Sequence, residues 1–192
     1  MAFNIYICGV GGQGIGVLAA ALAAAAEAAG HSVRGCDTHG LAQRHGSVSS
    51  HLRLGGDALT PRVPEGQADV VLALERLEGL RGALYALKPG GTLLYYDTVY
   101  QPITVRTGSR AYPAPGKVAA RVEELGGKAV AVAVDGLADP RMQNAALLGR
   151  LAALGLVPGL TREVLRGALA DTLGGRNLEA NLAVFDKAAG AA

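Results

Sequence analysis

The segment from Thr38 to His51 carries the densest group of chemically capable side chains in this sequence. It holds three of the four histidines, together with glutamine, arginine and several hydroxyl groups, in a chain whose residues are only 18% charged. A strand is predicted at Ser32–Asp37 and another at Ser47–Leu54, so the segment is predicted to lie on a connecting loop. α/β proteins place many functional residues on such loops. The alternative is a solvated loop held by its own hydrogen bonds.

Side chains in this segment indicate different roles. Arg44 is the best candidate for a carboxylate or phosphate clamp, because guanidinium offers paired donors in a fixed plane and stays charged. The alternative for Arg44 is an ion pair with a nearby acid. Gln43 offers a donor and an acceptor that can orient a carbonyl or an amide, or can bond within the loop. The histidines have irregular spacing, so no metal site is predicted, and His51 is expected to be a packed or edge residue.

A glycine motif near the start of the chain indicates an anion-binding loop. Gly9, Gly11 and Gly14 fit the pattern G-x-G-x-x-G between a predicted strand and a predicted helix, where bare N–H groups can hold a phosphate. Gln13 within this loop, like Gln43, can orient a carbonyl or an amide of a ligand, or can bond within the loop. Asp37 ends the second predicted strand, where dinucleotide enzymes place a carboxylate for the ribose. Glycines that merely pack a helix on a strand are the alternative. No Lys-Ser/Thr pair follows, so a nucleoside-triphosphate loop is not matched.

Strands and helices alternate along the first two thirds of the chain. This pattern predicts an α/β fold with a Rossmann-like, mostly parallel sheet flanked by helices and a helical C-terminal layer. We expect a single domain over residues 1–192, with the α/β core in residues 1–135 and the helical part in residues 136–192. The predicted elements are the strands Phe3–Val10, Ser32–Asp37, Ser47–Leu54, Asp69–Leu74, Thr92–Tyr96 and Lys128–Val134, and the helices Ile15–Ala29, Arg76–Leu87 and Lys117–Leu125. Lys88–Gly91 is expected to end the second of these helices, and a loop or surface hairpin between Tyr100 and Gly116 is expected to carry a short strand at Ile103–Arg106.

Composition excludes several classes of function. The net charge of +2 does not favour nucleic-acid binding. The two cysteines, Cys8 and Cys36, do not form a Cys-x-x-Cys pair, so neither a disulfide framework nor a cluster or zinc site is predicted. The uncharged stretch Ile5–Ala26 is interrupted by glycines and rich in alanine, so it is not predicted to span a membrane. No basic residue precedes this stretch, and a cytoplasmic location is therefore expected.

Two N-terminal motifs in combination resemble a known family. The two motifs are Gly9-Val10-Gly11-Gly12-Gln13-Gly14-Ile15-Gly16 and Asp37-Thr38-His39-Gly40-Leu41-Ala42-Gln43-Arg44. Together they resemble the gamma-type domain of 2-oxoacid:ferredoxin oxidoreductases, and within it the indolepyruvate ferredoxin oxidoreductase beta-subunit type. The resemblance continues through Gly46-Ser47-Val48 and, more weakly, through Glu75, Lys88–Gly91 and Asn177–Ala180. It covers most of the chain.

The resemblance implies a subunit that is inactive alone. The complex is expected to decarboxylate a 2-oxoacid oxidatively to an acyl-CoA, with indolepyruvate or another arylpyruvate as the best guess for the substrate. Thiamine diphosphate with Mg²⁺ and [4Fe-4S] clusters are expected on large partner subunits, and this chain alone is expected to bind no cofactor. Ferredoxin is the expected electron acceptor, and CoA is the expected co-substrate. The resemblance assigns supporting catalytic roles to His39 and Arg44. It assigns cofactor binding to Gly11, Gly12, Gln13, Gly14, Gly16, Thr38 and Gln43.

Two other classes of function remain open from the sequence. The glycine loop and Asp37 are also compatible with a free Rossmann oxidoreductase that binds NAD(P) or FAD. A noncatalytic scaffold that docks onto another subunit through its helices is the third possibility.

Overall fold

A computed structural model describes residues 2–39, 46–100, 108, 111–175 and 177–190 of the chain. The strands are β1 (Phe3–Val10), β2 (Val33–His39), β3 (Ser47–Leu54), β4 (Ala68–Ala73), β5 (Leu87–Tyr96) and β6 (Lys128–Val132). The α-helices are α1 (Ile15–Ala28), α2 (Arg76–Ala86), α3 (Pro115–Glu124), α4 (Gln143–Ala153), α5 (Arg162–Leu173) and α6 (Leu178–Gly190). A 3₁₀ helix at Pro140–Met142 leads directly into α4.

The six strands form one sheet in the order β2-β3-β1-β4-β5-β6. β1, β4, β5 and β6 run parallel to one another, whereas β3 pairs antiparallel with both β1 and β2. The predicted α/β class with a mostly parallel sheet is therefore confirmed. The antiparallel pairing has a simple cause: residues 40–46 alone connect β2 to β3, and a parallel crossover needs about a dozen residues or more.

The placement of β3 removes one basis for a dinucleotide site. In a Rossmann sheet the second strand lies beside the first, and its terminal carboxylate faces the glycine loop. Here β3 lies between β1 and β2, and Asp37 pairs with Ser50 in the middle of β3. The carboxylate is thus separated from the end of β1 by a whole strand.

Helices cover both faces of the sheet. α1 and the three C-terminal helices share one core with β1 and β3, which includes Ile7, Leu18, Leu147 and Phe185. α2 and α3 contribute to a second core with β1, β4 and β5. The backbones of α4 and α6 approach so closely that a Cβ on Gly149 would lie 2.2 Å from the carbonyl oxygen of Phe185. None of the helices among the described residues is both long and apolar enough to cross a bilayer.

Helix α2 ends before Lys88–Gly91 as predicted, but the strand begins at Leu87 rather than at the predicted Thr92, so these residues lie inside β5. Gly90 has a φ of +78° there, and the pairing register with β4 shifts between Ala68 and Val70. Pro89 and the two glycines after it do not end the strand, because the irregular pairing at the register shift accommodates the positive φ of Gly90. The strand predicted at Ile103–Arg106 lies outside the described residues.

Candidate functional site

The glycine loop connects the carboxyl end of β1 to the start of α1. Gly12 and Gly14 have φ values of +101° and +88°, which L side chains rarely adopt. Gly14 is the N-cap of α1. A Cβ on Gly9 would lie 2.9 Å from Gln13 Oε1, and a Cβ on Gly14 would lie 2.6 Å from Asn144 Nδ2. The backbone geometry and the close approaches both require glycine, whereas Gly16 faces open space.

Gln13 holds the loop from its inner side. Its Oε1 accepts from the Val10 amide at 2.7 Å, and its Nε2 donates to the Leu74 carbonyl at 2.8 Å. The residue is only 3% exposed. Both ends of the side chain thus bond to the backbone of this chain and tie the loop to the ends of β1 and β4. Its predicted contact with a cofactor stays a prediction.

Asn144, near the start of α4, holds the loop from the opposite side. Its Nδ2 donates to the carbonyls of Gln13 at 3.3 Å and Gly14 at 3.2 Å. Its Oδ1 is buried and has no hydrogen-bond partner within the part of the chain that the structure describes. Sequence reasoning missed this residue. The available signal was a polar residue at the start of an apolar helix, which by itself does not reveal a contact with a loop 130 residues away.

The amino-terminal end of α1 is open to an anion. In the described structure no side chain caps this end, and its first turn contains no acidic residue. The amides of Gly11 and Gln13 bond to backbone carbonyls of the loop region, and the Val17 amide bonds to the Gly14 carbonyl at 3.0 Å. The amides of Ile15 and Gly16 have no acceptor among the described residues. An anion at such an end interacts favourably with the aligned peptide dipoles.

A cleft of about 210 Å³ opens beside this helix end. Arg141 and Asp139 on one side form a bidentate ion pair, in which Nε donates to Oδ1 at 3.1 Å and an Nη donates to Oδ2 at 2.6 Å. This pairing keeps the pKa of Asp139 low, at about 2. The cleft combines amide side chains with apolar ones. Its lining is Gly14, Val17, Asp139, Arg141, Met142, Asn144, Leu169, Leu173, Asn177 and Asn181.

The return of the β2–β3 hairpin lies against the glycine loop. Gly46 accepts a hydrogen bond from the Gly11 amide at 2.9 Å, and Ser47 donates its hydroxyl to Glu78 Oε2 at 2.5 Å. Glu78 is buried, and its other oxygen accepts from Arg81 at 2.6 Å. Two consecutive residues of the hairpin are thereby anchored, one to the glycine loop and one to α2.

The structure separates some predicted site residues and leaves others undescribed. Thr38 lines a second cavity of about 310 Å³, together with Tyr6, Ser49, His51, Arg62 and Tyr85. That cavity does not include the glycine loop, which the structure places beside the cleft near α4. Gln43 and Arg44 lie outside the described residues. For His39, the structure gives the backbone, which ends β2 opposite Val48.

Two buried ionisable residues near the carboxyl edge of the sheet have structural partners. Glu75 is fully buried and caps α2 by accepting from the Glu78 amide at 2.8 Å. Burial raises the pKa of Glu75, although its backbone hydrogen bonds oppose the shift. His51 accepts from the Val63 amide through Nδ1 at 3.1 Å, and burial, aided by Arg62, lowers its pKa. Glu75 therefore acts as a helix cap, and His51 is a packed residue that is neutral at pH 7.

Metal or cluster ligation has little support in the described residues. They contain no group of three or more His, Cys, Asp or Glu side chains placed to hold a metal ion. Cys8 is buried, and its Sγ donates to the carbonyl of Glu78 at 3.2 Å. Burial also raises the pKa of this thiol, so it is held as a protonated, packed group.

Sequence comparison identifies relatives along nearly the whole chain. The profile of the family described as pyruvate ferredoxin/flavodoxin oxidoreductase matches residues 4–191. The chain is 37% identical over 191 residues to the indolepyruvate oxidoreductase subunit IorB of Thermococcus kodakarensis, covering 96% of this chain and 93% of that protein. It is 33% identical over 196 residues to the subunit of the same name from Methanothermobacter thermautotrophicus, covering 100% and 98%.

Solved structures with the same fold include the gamma subunit of a keto/oxoacid ferredoxin oxidoreductase from Geobacter sulfurreducens. The TM-score is 0.65 at 21% identity, over 97% of this chain and 96% of that chain. A 2-oxoglutarate:ferredoxin oxidoreductase from Magnetococcus marinus, solved with 2-oxoglutarate, coenzyme A and succinyl-CoA bound, has the same score and identity. The match covers 97% of this chain but only 30% of the longer Magnetococcus chain. The family profile and the long sequence matches establish that the chain belongs to the pyruvate ferredoxin/flavodoxin oxidoreductase family, as the small subunit of a 2-oxoacid:ferredoxin oxidoreductase.

Proposed function

We propose that this subunit supplies part of the CoA site in a complex that oxidatively decarboxylates indolepyruvate or another arylpyruvate. The observation that carries the proposal is the open end of α1, where the glycine loop leaves amide donors without acceptors beside a cleft lined by amide side chains. CoA bears phosphates that match the donors and an amide-containing arm that matches the lining. The CoA bound in the Magnetococcus enzyme supports this choice of ligand.

The reactive cofactors belong, in this proposal, to a larger partner subunit. A [4Fe-4S] cluster needs four thiolates, whereas this chain has two cysteines. One of them, Cys8, is buried and donates a hydrogen bond to the Glu78 carbonyl. The residues present therefore do not fit a cluster. The partner would supply carbanion chemistry through thiamine diphosphate with Mg²⁺, and ferredoxin would accept the electrons. The match to only 30% of the Magnetococcus chain supports a larger assembly around this domain.

The roles proposed for this chain are binding and positioning. The first-turn amides of α1 offset negative charge on a CoA phosphate, and Arg44 adds paired donors to a phosphate or a substrate carboxylate. His39 would donate a proton or a hydrogen bond where this subunit faces the thiamine-bearing partner. The anchoring of Gly46 to Gly11 brings the return of the hairpin beside the glycine loop. This arrangement supports a shared role for the two motifs.

A free NAD(P)- or FAD-binding oxidoreductase is the competing function that the glycine pattern favours. The strand order argues against it, because Asp37 is not on a strand adjacent to β1. Titration of the isolated chain with NAD(H), NADP(H), FAD and CoA separates the two functions. Saturable binding of a dinucleotide, with none of CoA, would support the competing function.

The complex itself provides the main test. Co-expression with a large thiamine-binding partner subunit should yield a stable heteromer that reduces ferredoxin only when a 2-oxoacid and CoA are both present. Comparison of indolepyruvate, phenylpyruvate, pyruvate and 2-oxoglutarate tests the substrate, and kcat/KM should be highest for an arylpyruvate. Preference for 2-oxoglutarate would refute the arylpyruvate assignment while leaving the family intact.

A further inference from the structure

We propose that Asn144 is a positioning residue for CoA binding. Its amide fixes the glycine loop in the conformation that presents donors to an anion, and its unpaired oxygen accepts a hydrogen bond from the ligand in the adjacent cleft. This inference rests on the proposed CoA site and names a residue of the C-terminal helical layer as part of it.

The donor side of Asn144 holds two peptide groups of the loop. Nδ2 bonds to the consecutive carbonyls of Gln13 and Gly14, and the Gly14 carbonyl also accepts from the first helical amides of α1. In a trans peptide the C=O and N–H bonds point in opposite directions. The amides of Gly14 and Ile15 must therefore point away from Asn144. At the start of a helix, this is the direction in which unsatisfied N–H groups meet a bound anion.

The fit between the loop and α4 is close. A Cβ on Gly14 would lie 2.6 Å from Asn144 Nδ2, so the contact needs glycine at this position. Gln13 grips the inner side of the same loop through the Val10 amide and the Leu74 carbonyl. Two buried amide side chains thus clamp one short loop from opposite sides. A structural role alone accounts for this clamp but not for the remaining oxygen of Asn144.

The acceptor side of Asn144 points to a ligand. Its Oδ1 has no hydrogen-bond partner among the described residues, and the residue is only 4% exposed. Buried polar groups are nearly always hydrogen-bonded, because an unpaired one retains the cost of losing water. Asn144 also lines the 210 Å³ cleft next to the open end of α1. A bound molecule that carries an N–H or O–H group would complete the hydrogen bonding of this side chain.

The lining of the cleft defines the chemical class of that molecule. Val17, Leu169 and Leu173 provide an apolar wall, and Asn177 and Asn181 add amide groups. Asn177 adopts a φ of +70°, with its carbonyl held by Asn181 Nδ2 at 2.9 Å. An aliphatic chain with amide groups, joined to a phosphate, matches an apolar wall with amides beside an anion-binding helix end. The pantetheine arm of CoA has this chemistry.

The test compares variants in the whole heteromeric complex. Asn144→Ala removes both functions, whereas Asn144→Asp keeps an acceptor but directs oxygen at the carbonyls of Gln13 and Gly14. We expect the KM for CoA to rise about tenfold in Asn144→Ala and further in Asn144→Asp, as losing a directional hydrogen bond and its loop support implies. The KM for the 2-oxoacid should stay within about twofold of the wild type. A merely structural role would not produce this split.

Thr161→Ala is the matched control. Thr161 caps α5 by accepting from the Val164 amide at 3.3 Å, and it does not line the cleft. Its loss lowers stability without touching the loop, so the KM for CoA should not change. If Asn144→Ala leaves the KM for CoA within about twofold of the wild type, the proposal is refuted.

A further variant separates this inference from the proposed function. Gly12→Ala introduces a strained φ in the exposed loop without a clash. Weaker CoA binding in Gly12→Ala alone would refute the role of Asn144 but keep the CoA site, whereas unchanged binding in both variants would refute the CoA site. Should the Asn144 variants fail to fold, the Asn144 side-chain ¹⁵N resonances of the wild type decide. They should shift as CoA is added to the complex, and unchanged resonances at saturation refute the proposal.

Discussion

Replacing Gln13 tests whether the glycine loop is held by the amide of this residue. The side chain makes two buried bonds, from the Val10 amide at 2.7 Å and to the Leu74 carbonyl at 2.8 Å. Gln13→Met has a similar volume but leaves both backbone groups buried and unpaired. Each unpaired group costs about 1–3 kcal/mol, so the free energy of unfolding should fall by about 2–6 kcal/mol. The total free energy of unfolding of a protein domain is about 5–15 kcal/mol, so a loss of this size is readily measured.

Gln13→Glu adds a dependence on pH that identifies the second bond. A carboxylate can still accept from Val10, but only a protonated carboxyl group can donate to the Leu74 carbonyl. The folded state therefore raises the pKa of the introduced carboxyl group above its unfolded value of about 4.3. The stabilising contribution is fully present below the unfolded pKa and is lost as pH rises through the folded pKa.

Urea denaturation of the wild type and both variants, at several pH values between about 4 and 8, provides the assay. The stability difference between Gln13→Glu and the wild type should grow with pH by about 1.4 kcal/mol for each unit by which the pKa is raised. A pH-independent loss of stability in Gln13→Glu would show that the Leu74 bond contributes nothing. Wild-type stability in Gln13→Met would refute the clamp altogether.

Three further predictions concern helix packing, the hairpin and a buried histidine. Gly149→Ala should destabilise the protein by about 1–3 kcal/mol in thermal or urea unfolding, because its Cβ would meet the Phe185 carbonyl oxygen at 2.2 Å. Gly167→Ala, in open space on α5, should instead stabilise by about 0.5–1 kcal/mol, and equal effects would contradict the packing. Arg44→Ala should lower kcat/KM for CoA or the 2-oxoacid about tenfold or more, as losing a charge-assisted contact of about 1.5–3 kcal/mol implies; unchanged kinetics in a verified complex would remove it from the site. His51 has a pKa lowered from 6.5, so its contribution to stability is present above pH 6.5 and lost as pH falls through the folded pKa. His51→Gln should reduce the loss of stability on acidification, and an unaltered pH profile would argue against a buried neutral ring.

Local patterns predicted the individual elements well. The strands at Phe3–Val10 and Ser47–Leu54 have the predicted bounds, and the Ala-rich helix after the glycine loop starts at Ile15 as predicted. These elements depend on residue periodicity and on glycine and alanine propensities, which are properties of neighbouring residues. The family resemblance is likewise confirmed by the family profile and the long sequence matches. It could be seen in the sequence because each of the two motifs that carry it is a contiguous run of residues.

Long-range contacts account for what the sequence did not predict. The position of β3 between β1 and β2 depends on strand pairing, and it separates Asp37 from the glycine loop. Lys88–Gly91 has turn composition but lies within β5, at the register shift where Ala68 pairs with Leu87 and Val70 with Thr92. The roles of His39, Gln43 and Arg44 as site residues stay predictions.

The sequence by itself determined the α/β class, the glycine loop and the family, because each is encoded in short contiguous patterns of residue type. The tertiary structure alone decided what surrounds that loop. Asn144 reaches it from a helix 130 residues away, and Gly46 and Gln13 fix its other sides. No local pattern specifies such contacts, since they form only when the sheet order and the packing of α4 on α1 bring distant backbone groups within hydrogen-bonding distance.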